Sequence, residues 1–69
     1  MADHVYRVTE IVGSSSEGVD DAIRKGLQRA STTLREVDWF EVTEIRGHVE
    51  NGQLGHFQVG IKVGFRLES

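Results

Sequence analysis

The chain has no cysteine, no proline, one tryptophan and one methionine among its 69 residues. Without cysteine no disulfide bond can form, and the three histidines, His4, His48 and His56, do not have a recognisable zinc-ligand spacing. A chain of this length is close to the lower limit at which one hydrophobic core is sufficient. The remaining common source of stability is self-association. We therefore expect a single domain, residues 1–69, that assembles with copies of itself.

Long apolar runs and an excess of positive charge are also missing. No run is long enough to cross a membrane, and Met1-Ala2-Asp3-His4 lacks the basic and apolar regions of a signal peptide. The net charge of −3, with interspersed signs, argues against a nucleic-acid partner. The sequence contains no nucleophile-base arrangement, metal-ligand cluster or phosphate-binding glycine loop. These observations predict a cytoplasmic protein that is not an enzyme, holds no metal, and binds neither membranes nor nucleic acids.

The carboxyl-terminal part of the chain predicts a β-hairpin. Apolar residues alternate without a break with polar or small ones, at Phe57, Val59, Ile61, Val63, Phe65 and Leu67. This period of two residues indicates a strand with one apolar face. A second strand candidate runs from Asp38 to Val49, and Asn51-Gly52 between them suits a type I′ turn.

Counting outward from this turn assigns residues to the two faces of the hairpin, because opposed residues share a face. The count starts with Glu50 opposite Gln53 and gives Arg46 opposite Phe57, Val42 opposite Ile61 and Phe40 opposite Val63. Phe40 and Val42 then join the apolar face. The same count puts Glu44 and Arg46 there, where they either extend beyond the helix or pair with charges from it such as Glu17. The opposite face receives four pairs: Ile45 with Gln58, Thr43 with Gly60, Glu41 with Lys62, and Trp39 with Gly64. A large indole on such a polar face predicts a platform for a flat ligand.

The first half of the chain predicts a strand and a helix. Val5 to Val12 has apolar residues on both faces, and the segment 13–16 ends it, with Ser14 and Glu17 forming a capping box. Apolar residues then recur every three or four positions from Val19 to Leu34, which indicates an amphipathic helix of about five turns. The predicted fold is α+β, strand-helix-strand-strand, with a three-stranded antiparallel sheet of order 1-3-2. The helix covers Phe40, Val42 and the apolar set of the last strand, and the other sheet face stays uncovered.

The chain resembles the dodecin family of small flavin-binding proteins along almost its whole length. Ser16 is a departure, since many members have proline there. The resemblance lies in Val5-Tyr6-Arg7-Val8, Glu10-Ile11-Val12-Gly13, Arg29-Ala30-Ser31, Thr33-Leu34-Arg35, Trp39-Phe40-Glu41-Val42, Arg46-Gly47, Phe57-Gln58-Val59 and Lys62-Val63-Gly64-Phe65-Arg66-Leu67-Glu68.

The resemblance implies a sheet wrapped around one helix and a hollow homododecamer that holds flavins at contacts between subunits. It implies that Trp39 stacks on the isoalloxazine ring, that Gln58 hydrogen-bonds the polar edge of the ring, and that Arg46 and Asp38 lie near the site. The implied function is to sequester, store and buffer FMN or riboflavin, with quenching of the excited flavin by the indole.

Several dodecins also bind coenzyme A, for which the resemblance suggests Tyr6, Arg29 and Arg66.

Trp39 and Gln58 are predicted to lie far apart within one chain. The predicted pairing separates them by six residues, roughly 20 Å at about 3.3 Å per residue. We therefore expect the two side chains to reach one flavin from different subunits, unless strong sheet curvature brings them together. Two rival functions are a flavoenzyme with turnover and a structural or interaction oligomer that binds no flavin.

Overall fold

The computed structural model describes residues 3–67. It contains β1 (Tyr6–Ser15), α1 (Val19–Thr33), β2 (Val37–Glu50) and β3 (Gln53–Arg66), in that order. The strands form one antiparallel sheet of order β1-β3-β2. The predicted α+β fold and strand order are therefore confirmed. Glu68, the last residue of the quoted tail motif, lies outside the described residues.

The predicted hairpin turn is present between β2 and β3. Asn51 has a φ of 53° and Gly52 a φ of 74°, so both central residues adopt the positive angles of a type I′ turn. Glu50 pairs with Gln53 beside it, as predicted. This turn sets the register from which the rest of the hairpin is built.

The hairpin contains three β-bulges, and two of them change the register of the segment between them. Moving away from the turn, the first shift makes Gly55 an extra residue on β3, and the second makes Thr43 an extra residue on β2. In a bulge two residues of one strand oppose one residue of the other, so each bulge moves the pairing by one position. The two shifts cancel, and the predicted pairs of Val42 with Ile61 and Trp39 with Gly64 are confirmed.

Between the bulges the predicted pairs are wrong. Arg46 faces Gln58 rather than Phe57, Ile45 faces Val59 rather than Gln58, and Gly60 faces Glu44 rather than Thr43. The prediction assumed an uninterrupted ladder, which would have put Glu44 and Arg46 on the apolar face. The bulges transfer both charged residues to the opposite face and turn Ile45 to the apolar one.

β1 is longer than predicted because Gly13 does not end it. Gly13 pairs with Val59, and the strand continues to Ser15. A Cβ atom added at Gly13 would overlap the carbonyl oxygen of Ala22 in α1. Glycine is therefore needed here for the close approach of the helix to the strand, and not for a turn.

Ser15, and not Ser14, organises the start of the helix, so the predicted Ser14–Glu17 capping box is wrong. The Ser15 Oγ accepts hydrogen bonds from the backbone N–H of Glu17 at 2.9 Å and of Gly18 at 3.4 Å. It also donates to the Asp21 carboxylate at 2.6 Å. Ser15 is only 4% exposed, so these hydrogen bonds form at the edge of the core. α1 has 15 residues, about four turns instead of five.

The core lies between α1 and the two strands β1 and β3. Its buried apolar residues are Ala22, Ala30, Val59, Ile61 and Val63. The prediction that the helix covers Phe40 and Val42 is wrong, because they are 46% and 37% exposed. β2 is an edge strand beyond β3, and α1 packs against β1 and β3. The described part of the chain therefore leaves the apolar side of β2 uncovered.

We expect Gly13→Ala to destabilise the protein, because the new Cβ atom meets helix backbone that cannot move aside. The expected loss is about 3 kcal/mol, the upper end of the usual range for an overpacked core. Gly18→Ala is the matched control, since an added Cβ there meets no atom within 4 Å. Urea unfolding of both variants and the wild type measures the difference. Equal midpoints for the two variants would contradict the close contact between β1 and α1.

The hydrogen bond from Ser15 is the main cause that lowers the pKa of Asp21, followed by Lys25. A lowered carboxyl pKa adds stability above the ordinary pKa of the group, and this contribution is lost as the pH falls through the lowered value. We expect Ser15→Ala to raise the Asp21 pKa toward its ordinary value, measured by an NMR titration of the carboxyl carbon. Ser14→Ala should leave it unchanged, and an equal rise in both variants would contradict the role of the Ser15 hydrogen bond to Asp21.

Candidate functional site

No other element of residues 3–67 packs on the sheet face opposite α1, which is called here the outer face. β1, β3 and β2 place residues on it in rows, such as Val8, Gly64 and Trp39, or Ser14, Gln58 and Arg46. Apolar side chains on this face, Tyr6, Val8, Val12 and Trp39, are all exposed. The predicted position of Trp39 on the face away from the core is thus confirmed.

The indole of Trp39 lies against the backbone of Gly64. A Cβ atom added at Gly64 would be 2.6 Å or less from three bonded ring atoms, Cδ2, Cε2 and Cζ2. Because the three distances are similar, the added atom would point at the face of the ring and not at its edge. The indole therefore covers Gly64 with one face. Its other face is turned away from the sheet, and the side chain is 39% exposed.

Asp38 organises a polar cluster next to the indole. It is the extra residue of a third bulge, between the pairs Val37–Phe65 and Trp39–Gly64. Its carboxylate accepts hydrogen bonds from Arg66 Nη2 at 3.2 and 3.4 Å and from the Tyr6 hydroxyl at 3.2 Å. The hydrogen bond to Asp38 also raises the pKa of Arg66. The Tyr6 and Trp39 ring centroids are 6.1 Å apart, with the planes inclined at 59°.

The residues that the resemblance assigns to coenzyme A do not form one group in this chain. Tyr6 and Arg66 belong to the Asp38 cluster, beside the platform assigned to flavin. Arg29 lies on the exposed surface of α1, where it lines a shallow pocket with Lys25, Gln28 and Thr32. The structure therefore joins Asp38 to Tyr6 and Arg66 and leaves Arg29 apart from them.

A second polar cluster surrounds Gln58 on the outer face. The Gln58 Oε1 is 3.4 Å from Arg46 Nη1 and 3.1 Å from His48 Nε2. Arg46 also forms an ion pair with Glu44. The His48 ring is stacked on His56, with centroids 4.6 Å apart and planes inclined at 17°.

Sequence reasoning assigned Gln58 and Arg46 to the site but missed His48 and Glu44 as their neighbours. The missing information was the bulge at Gly55. An isolated glycine inside an alternating strand often marks such a bulge, so Gly55 was the available signal.

The two clusters lie far apart along the sheet. Trp39 is opposite Gly64, whereas Gln58 is six positions earlier on β3, roughly 20 Å away at about 3.3 Å per residue. A groove lined by Val12, Thr43 and Lys62, among other residues, lies between them. A single chain does not bring Trp39 and Gln58 onto one ligand. The expectation that they meet across a subunit contact remains a prediction.

Two general properties concern metal ions and membranes. Residues 3–67 contain no group of three or more histidine, aspartate or glutamate side chains placed to hold a metal ion. Within the same residues, no helix is long and apolar enough to cross a membrane.

Comparison with known proteins identifies a family to which this chain is similar. A family model described as Dodecin matches residues 5–68. The dodecin of Thermus thermophilus is 52% identical over 64 residues, which are 93% of either chain. The structure of the dodecin from Streptomyces davaonensis is similar with a TM-score of 0.94 at 60% identity, covering 99% of this chain and 100% of that one. A calcium dodecin from Mycobacterium tuberculosis is 25% identical with a TM-score of 0.81, covering 93% and 91%.

We expect Gly64→Ala to push the indole of Trp39 off the sheet, because the new methyl group occupies the space of the ring. Trp39 is the only tryptophan, so its fluorescence and near-UV circular dichroism report on this residue directly. Both signals should change, with a loss of stability of about 1–3 kcal/mol. The control Gly18→Ala should leave both signals unchanged. An unaltered tryptophan signal in Gly64→Ala would contradict the face-on contact.

Proposed function

The chain belongs to the dodecin family of small binding proteins, and we propose that it binds a flavin, FMN or riboflavin, against the indole of Trp39. The protein sequesters, stores and buffers this flavin in a homododecamer and has no catalytic turnover. Stacked on the flavin, the indole also quenches its excited state.

The observation that carries the proposal is the placement of the indole. One face of Trp39 rests on Gly64, and the other is directed away from its own subunit. The backbone contact holds the ring in one orientation before a ligand arrives, which lowers the cost of ordering it. Stacking of a flat aromatic ligand on this ring contributes about 0.5–1.5 kcal/mol beyond the area it buries. The arrangement supports binding of a planar ligand more directly than any other feature of the chain.

Assembly is supported by apolar residues that one chain leaves exposed on both faces of its sheet. On the outer face these include Val8 and Val12, and on the side facing α1 they include Phe40, Val42 and Ile45. Exposed apolar surface of this kind is typical of contacts between proteins. The number of twelve subunits comes from the family. In such an assembly Trp39 of one subunit and Gln58 of another approach the same flavin from two sides.

Quenching follows from the chemistry of the indole. Tryptophan is readily oxidised, so a stacked indole gives one electron to the excited isoalloxazine ring. The electron then returns to the indole radical, and both groups recover their ground states. This cycle needs no other reactant and prevents the excited flavin from reacting elsewhere.

The proposal of coenzyme A as a second ligand is supported in part. Tyr6 and Arg66 lie together on the outer face and offer a ring and a positive charge. The charge of Arg66 is, however, partly balanced by Asp38, and Arg29 lies on α1. A coenzyme A molecule that contacts all three residues would therefore have to span more than one surface.

Titration with riboflavin and FMN tests the flavin proposal. We expect wild-type protein to bind flavin and abolish its fluorescence. Trp39→Ala should weaken binding and restore emission from the flavin that still binds. Trp39→Phe should keep more of the affinity but also emit, because phenylalanine retains the stacking surface and is far harder to oxidise. Tyr6→Phe, which keeps a neighbouring ring, serves as the control and should remain dark.

Three outcomes would count against the proposal. Bound flavin as dark in Trp39→Ala as in the wild type would remove the quenching role. If native mass spectrometry shows a dodecamer that binds neither flavin, a purely structural or interaction oligomer would be favoured. Substrate-dependent bleaching of the bound chromophore would instead indicate a flavoenzyme.

A further inference from the structure

We infer that His48 is a positioning residue for Gln58, and that with Arg46 it fixes the side-chain amide so that its NH₂ group is presented to the ligand. Gln58 is the residue expected to meet the polar edge of the flavin, so the inference rests on the proposed function. It adds a residue that no resemblance or motif assigned to the site.

The orientation of the Gln58 amide follows from its neighbours. A guanidinium group carries only hydrogen-bond donors, so the amide atom next to Arg46 Nη1 must be the oxygen. The same oxygen is 3.1 Å from His48 Nε2. Two facing acceptors would repel each other, so His48 must carry a hydrogen on Nε2 and donate it.

This arrangement determines what Gln58 offers to a ligand. An amide oxygen has two lone pairs, and Arg46 and His48 occupy both. The NH₂ group is attached to the other side of the same carbon atom and therefore points away from both donors. Gln58 accordingly recognises a hydrogen-bond acceptor, such as a carbonyl oxygen on the polar edge of the flavin.

His48 is itself held in place. Its ring is stacked on His56, the residue opposite it in the ladder. The bulge at Gly55 creates this pairing, because an uninterrupted hairpin would place Gly55 opposite His48. The same shift puts Arg46 opposite Gln58. One bulge thus brings both donors to the amide oxygen.

Two substitutions of His48 separate the hydrogen bond from the ring stack. His48→Phe keeps an aromatic ring on His56 but has no donor, and we expect it to weaken flavin binding by about fivefold, the value of one ordinary hydrogen bond. His48→Gln loses the ring but keeps an N–H donor at a similar reach, and we expect it to retain most of the wild-type affinity. His56→Phe, which keeps the stack and leaves the His48 donor intact, is the control and should bind like the wild type.

The side-chain amide of Gln58 provides a second measurement that needs no flavin. In protein labelled with ¹⁵N at its glutamines, we expect the NH₂ signals of Gln58 to move in His48→Phe and to stay near their wild-type positions in His56→Phe. This result would support the inference even if wild-type protein bound no flavin, an outcome that would refute only the proposed function. The inference is overturned if the Gln58 signals are the same in His48→Phe and the wild type. It is also overturned if wild-type protein binds flavin and His48→Gln loses more affinity than His48→Phe.

Discussion

The contact between the Trp39 indole and the Gly64 backbone is the constraint on which the rest of this site depends. Because residue 64 has no side chain, the ring can lie face-on against β3. A ring held in this way does not fold back into the core of its own subunit, and its free face is directed outward. The Asp38 cluster borders the ring, and Tyr6 packs next to it. The platform is therefore built within one chain before any ligand or partner is present.

The β-bulges place polar side chains at two separate positions on the outer face of the hairpin. The bulge at Asp38 frees a carboxylate to bind Arg66 and Tyr6 beside the indole. The bulges at Thr43 and Gly55 turn Glu44, Arg46 and His48 to the outer face, where the last two contact Gln58. Without that pair of bulges, Arg46 would lie on the apolar side of the sheet. A short sheet with a small core thus presents one aromatic and one amide site on the same face, roughly 20 Å apart at about 3.3 Å per residue.

Local patterns predicted the elements that depend on local chemistry. The alternation in β3, the Asn51-Gly52 turn and the helical spacing of α1 each follow from the nearest few residues. The prediction of Trp39 opposite Gly64 was correct because the register shifts at Gly55 and Thr43 cancel. The errors arose where contacts distant in sequence decide the outcome. Gly13 continues β1 because a helix packs on it, and Phe40 stays exposed because α1 lies over β1 and β3. His48 was missed because a single bulge residue determines which side chains meet.

We propose that the free face of Trp39 receives a flavin at a contact between subunits. A crystal structure of the protein grown with FMN or riboflavin tests it most directly. We expect an isoalloxazine ring parallel to the indole, at about 3.5–4.0 Å, the optimal separation of carbon atoms. Gln58 of a neighbouring subunit should lie at the polar edge of that ring. An indole covered by protein side chains from a neighbouring subunit, with the flavin bound elsewhere or absent, would contradict the proposal.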